Sequence, residues 1–155
     1  FFLDGFANAT EVITGRAIGS KNQQQLKQGL IYTALWSGSI ALLFSLNYFV
    51  WGPSIINLLT TLPDVIAAAN QYLTWLIIAP VIGVWSYLFD GFFIGATRST
   101  EMRNTMLFST LFCYLPAWYF LQYLGNHGLW LAIIIFLAAR GISQAIYLPK
   151  ILSNN

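Results

Sequence analysis

The sequence predicts an all-α integral membrane protein of about five transmembrane helices. Three observations predict it: an apolar composition, apolar runs of spanning length, and basic residues that, Arg140 excepted, flank alternate connections. Of 155 residues, 57% are hydrophobic, 17% aromatic and 8% charged, and mean hydropathy is +0.66. An average soluble domain carries roughly 25% charged residues, and a soluble fold of this size could not hide so much apolar surface. One Cys and one His rule out a disulfide framework and leave no Cys/His metal site. A net charge of +2, gathered in a few connections, does not suit nucleic acid.

A hydrocarbon core of roughly 30 Å against a rise of about 1.5 Å per residue sets the spans. The first runs from Phe1 to about Ile18 and opens inside an apolar segment without an initiator Met, so the chain reads as a fragment with helices expected upstream. Asp4, Asn8, Glu11 and Gly15 recur at i, i+4, i+7 and i+11 and share one helical face. Lipid cannot satisfy such a stripe, so it faces a bundle interior or a water-filled cavity. The architectural alternative is a hydrogen-bonded seam between helices. Ser20 to Gln28 then reads as a polar linker.

The second span is Gly29 to Trp51. Over 61–70 a short interfacial helix is expected, with Thr61 as N-cap and Asp64 three residues later. The third span, Tyr72 to Ala96, carries Asp90 near its end, and a charged Asp at a membrane helix centre costs roughly 2.5–3.5 kcal/mol. Ser86, Tyr87, Asp90 and Thr97 lie close to one face, and Gly91 and Gly95, four apart, would let a neighbouring backbone approach. Pro80 interrupts the ladder of this helix and Pro116 that of the next. The fourth span is Thr105 to Leu124 and the fifth Leu129 to Leu148, joined by the tight turn Gly125-Asn126-His127-Gly128. Arg140, inside the fifth, needs an acidic partner, Asp90 first and Glu11 second, or a snorkelling route.

Arg16, Lys21 and Lys27 flank the first connection, Arg98 and Arg103 the third, and Lys150 follows the last span. The second and fourth connections have no Lys or Arg. The positive-inside rule therefore makes the first and third connections cytoplasmic and 53–70 and His127 external. Trp51, Trp75, Trp118 and Trp130 fall near outer ends, where an aromatic belt would place them. Soluble-enzyme signatures are absent: no Gly-rich phosphate loop and no nucleophile-base pair, so no catalytic residue is expected.

Phe2-Leu3-Asp4-Gly5-Phe6-Ala7-Asn8-Ala9-Thr10-Glu11 with Gly15-Arg16-Ala17-Ile18-Gly19 begins a resemblance that continues along the chain. Leu88-Phe89-Asp90-Gly91-Phe92-Phe93-Ile94-Gly95-Ala96-Thr97-Arg98, then Leu124-Gly125-Asn126-His127-Gly128-Leu129-Trp130 and Ala139-Arg140-Gly141, follow in order. Together they resemble the DinF-type branch of the multidrug and toxic compound extrusion (MATE) transporters. The resemblance implies the end of the C-terminal six-helix lobe of a twelve-helix transporter in the inner (plasma) membrane of a bacterium. It implies export of small amphipathic or cationic compounds against an inward flow of protons or sodium ions, with no resident cofactor.

By that resemblance Asp90 occupies a tenth-helix position where other branches carry an acid of cation coupling or substrate binding. The branch's principal proton-linked Asp belongs to the N-terminal lobe, the partner this sequence lacks. Glu11, Asp4 and Asn8 join the candidate site from their stripe, and Tyr87 as an aromatic wall. Burial disfavours a charged carboxylate, so such a group can hold a proton and release it to water or a cationic substrate. The competing readings are a lipid-linked sugar flippase of the same superfamily, for which one basic residue within the spans is few, and a non-transporting membrane scaffold.

Overall fold

The computed structural model describes residues 2–153, and they are helical almost throughout. The elements are α1 (Phe2–Gly19), α2 (Gln23–Leu59), α3 (Pro63–Gly95), α4 (Ser99–Phe108), α5 (Leu115–Phe120) and α6 (Asn126–Ser153). A π turn, Ser109–Tyr114, joins α4 to α5 in one rod, and a 3-10 turn, Gln122–Leu124, precedes α6. The helices Gln23–Leu59, Pro63–Gly95 and Asn126–Leu152 are long and apolar enough to cross a membrane. At 18 residues α1 reaches about 27 Å.

The expected element over 61–70 is not a separate helix, because α3 runs unbroken from Pro63 through it. Nor does Thr61 cap that helix. Pro63 takes the first turn, where its missing N–H is no loss, and Leu62 stands at the N-cap without a side-chain bond. Likewise α2 continues past Trp51 and accommodates Pro53 inside the helix. The fourth rod begins six residues before Thr105 and turns to π geometry ahead of Pro116, the Leu115 N–H donating to the Thr110 carbonyl. A π turn absorbs the extra residue where the proline ring disrupts the regular ladder.

Along the middle of α2 packing follows membrane logic, with small residues inside and large apolar ones outside. The buried positions of α2 include Thr33, Ser37, Ala41, Ser45 and Gly52, while Leu35, Trp36, Leu43, Phe49 and Val50 are exposed. Lipid is as apolar as leucine, so close backbone approach and polar contacts bind such helices instead. Ser45 Oγ donates to the Ile77 carbonyl of α3 at 2.6 Å. On α1 the buried side chains are Thr10, Thr14 and Ala17, facing Gly91 and Gly95 of α3. A Cβ on Gly91 would enter the Ala7 carbonyl and one on Gly95 the Glu11 carbonyl, so the two backbones touch.

The densest apolar cluster, with Ala17, Leu26, Leu88, Phe92, Phe93 and Ile151, lies at the end of the bundle that carries the basic connections. There α1 and α3 finish alike. The Asn22 N–H bonds back to the Ala17 carbonyl and the Arg98 N–H to the Phe93 carbonyl, with Lys21 and Thr97 in the left-handed region at φ 51° and 56°. These are Schellman closures built without glycine. Both turns sharply reverse the chain beside the buried cluster.

Candidate functional site

Gly91 faces α1, which turns its neighbour Asp90 toward α6. Asp90 is 8% exposed. Its Oδ2 accepts from Arg140 Nη2 in a short ion pair, and its Oδ1 accepts from Gln144 Nε2 at 2.7 Å. Arg140 and Gln144 stand four apart on α6, so both project from one face onto the same carboxylate. Two donors, one charged and one neutral, thus clamp one acid between α3 and α6. Arg140 Cζ also lies 6.0 Å from the centre of the Phe136 ring, one turn earlier on that face.

The clamp is tightly enclosed and incompletely satisfied. Gln144 is fully buried, and among the described residues neither its Oε1 nor Arg140 Nε has a hydrogen-bond partner. Both orphan atoms belong to the side chains that hold Asp90. Gln144 was not singled out in the sequence, although an amide four residues from a membrane arginine was the available signal.

The polar stripe of α1 lies elsewhere. Asp4 and Asn8 are exposed and Glu11 half-buried, turned from the face that Thr10 and Thr14 press on α3. Among the described residues the structure does not bring Glu11 to Arg140. Tyr87, half-buried, lines a cavity of about 380 Å³ with Leu3, Phe44, Tyr48 and Pro80, among α1, α2 and α3. No group of three or more His, Cys, Asp or Glu that could hold a metal occurs among the described residues.

A second polar cluster sits at the opposite end of the bundle from the basic connections. Trp75 Nε1 donates to His127 Nδ1 at 2.9 Å, Gln71 Nε2 lies 3.3 Å from His127 Nε2, and the Tyr72 ring centre lies 4.9 Å from that of His127. Nδ1 accepts from the indole N–H, which fixes how the imidazole is turned. His127 is more than a turn residue: it fastens the start of α6 to α3.

Comparison with known proteins adds three findings. The family model described as MatE matches residues 1–124. DNA damage-inducible protein F of Escherichia coli (strain K12) is 48% identical over 150 residues, covering 94% of this chain and 31% of that protein. A solved structure, the inward-facing conformation of a multidrug resistance MATE family transporter of the MOP superfamily, shares the fold with a TM-score of 0.80 at 21% identity. It is matched over 95% of this chain and 35% of its own length, so the chain spans about a third of the relatives it resembles.

Proposed function

Because the chain belongs to the MatE family, a family of transporters and not of enzymes, we propose that it acts within a longer protein that exports small amphipathic or cationic compounds. Export is driven by the inward flow of a cation, proton or sodium, across the inner (plasma) membrane of a bacterium. Asp90 is the group whose charge couples the two. The observation that carries this reading is the clamp itself: a buried carboxylate with both oxygens held by side chains of another helix.

Ionised, Asp90 ties α3 to α6 through Arg140. A cation arriving at the carboxylate competes with the guanidinium, and the tie weakens. Removing one partner of a buried pair changes stability by about 3–5 kcal/mol. Inverting a two-state population from 1:99 to 99:1 needs about 5.5 kcal/mol, so one such switch supplies most of the bias an alternating-access change requires. The stripe of Asp4, Asn8 and Glu11 faces the remainder of the transporter and lines the route of ion or substrate. Tyr87, with Phe44 and Tyr48, offers an aromatic wall to a flat or cationic compound.

The test uses the full-length protein in vesicles under an imposed pH or sodium gradient. Asp90→Asn keeps the size and removes the titratable charge, so ion-coupled drug export falls at least tenfold while folded protein remains in the membrane. Export at the wild-type rate and with unchanged ion dependence in both Asp90→Asn and Glu11→Gln sinks the reading, and the acids are then structural.

A further inference from the structure

Gln144 does something for Asp90 that Arg140 cannot. A guanidinium has five N–H donors and no acceptor, so it suits a carboxylate and cannot accept the O–H of a neutral carboxyl group. A primary amide carries both a donor and an acceptor at nearly equal reach. Gln144 directs its Nε2 at Asp90 Oδ1, while its Oε1 is buried and unpartnered. An orphan amide oxygen in a buried site is costly, and it marks an interaction that this charge state leaves unmade.

We propose that Gln144 is a positioning residue that holds Asp90 in both of its charge states by reversing its side-chain amide. With Asp90 ionised, Nε2 donates to Oδ1. When a proton from the aqueous phase bonds to Oδ1, the carboxylate becomes a carboxyl group, the amide rotates by half a turn, and the new O–H donates to Oε1. The Arg140 ion pair is reduced to at most an N–H donating to the Oδ2 carbonyl, and the Gln144 contact is kept with its polarity reversed. The carboxyl group therefore stays aimed at α6 through the cycle and does not swing away, ready to recapture Arg140 when the proton leaves.

The surroundings leave this role to Gln144. Arg140 is the charged group acting on Asp90. From α1, the Ala7 and Glu11 backbone meets α3 at Gly91 and Gly95; from α2, Ser45 bonds the Ile77 carbonyl; and Glu101 of α4 is paired with Arg98 at 3.2 Å. No acceptor from those elements is hydrogen-bonded to Asp90 among the described residues. The preference for a proton follows from the same atoms, since both carboxylate oxygens face nitrogen donors and a sodium ion requires several oxygen ligands.

This inference rests on the coupling role proposed for Asp90, and the experiment separates the two. Infrared difference spectra of the full-length protein in lipid, acidic minus neutral, are recorded for wild type, Asp90→Asn, Gln144→Met and Gln144→Asn. Wild type shows a carboxyl C=O band that vanishes in Asp90→Asn. It also shows a glutamine amide band that vanishes in both Asp90→Asn and Gln144→Met. In Gln144→Met the carboxyl band moves to higher wavenumber, because its O–H has lost the acceptor. Gln144→Asn, one methylene shorter, gives the same shift and serves if the Met variant does not fold. An Asp90 carboxyl band that stays in place in these variants, or an amide band that survives Asp90→Asn, overturns the role of Gln144 alone. Absence of any Asp90 carboxyl band overturns that role together with Asp90 as the proton carrier.

Discussion

Cutting the α3–α6 clamp from either side gives unequal losses, and the inequality is set by what each survivor has left. The perturbations are Asp90→Leu, Arg140→Met and the pair together, all near-isosteric and apolar. Both side chains are 11% exposed, so the interaction is that of a buried pair. Breaking such a pair costs about 3–5 kcal/mol, whereas replacing both members by packed apolar groups is close to neutral. After Arg140→Met, Asp90 retains Gln144 at 2.7 Å and can discharge itself by taking up a proton. After Asp90→Leu, Arg140 retains the Phe136 ring at 6.0 Å, a contact of about 0.5–2 kcal/mol, and cannot discharge. Asp90→Leu is therefore the more damaging single change, by about 1 kcal/mol, the size of one net hydrogen bond. The double variant recovers most of the larger loss, so the coupling energy of the cycle, the two single losses less that of the double, is about 6–8 kcal/mol. Unfolding of the full-length protein in one detergent, followed by tryptophan fluorescence across the four variants, measures it. Losses that add to within about 0.5 kcal/mol would refute the argument.

Gly91→Ala drives a methyl group into the Ala7 carbonyl and destabilises by about 1–3 kcal/mol, whereas Gly5→Ala, with nothing within 4 Å, is neutral in the same unfolding assay. His127→Ala removes the acceptor of the Trp75 indole and costs about 1 kcal/mol, and Trp75→Phe in that background adds little, which a thermal-shift cycle reads directly. In a Cys113→Ser background, a Cys at Asp64 or His127 is labelled by an impermeant thiol reagent from outside and one at Lys21 is spared; external labelling at Lys21 would reverse the assigned orientation.

The helical class was legible because apolar length and composition act along the chain, one segment at a time. A close backbone approach to α3 was legible too, in Gly91 and Gly95, but not that α1 is the helix that makes it. Helix limits were less so: Thr61 and Asp64 resembled a cap, but Pro63 took the first turn, and Pro53 did not stop α2. The π turn before Pro116 depends on how a ladder relaxes around a ring, which no local pattern announces. Asp90 and Arg140 stood out as isolated charges in apolar helices. Gln144 did not, because an uncharged amide is a weak signal until two helices bring it against an acid. The stripe of α1 was visible as a pattern, but which surface it met depended on α3 occupying the neighbouring face.

The glycine contact gives the bundle a division of stiffness. Where α1 rests on α3, the Ala7 and Glu11 carbonyls meet Gly91 and Gly95 directly, flanked by the short side chains of Thr10 and Thr14, and such a joint has few rotamers through which to yield. Where α3 meets α6, the junction at Asp90 is made by the flexible tips of an arginine and a glutamine. A displacement of α1 is therefore passed to α3 more directly than it is passed on to α6. The first and third helices behave as one lever, and the last helix is the part against which it can slip.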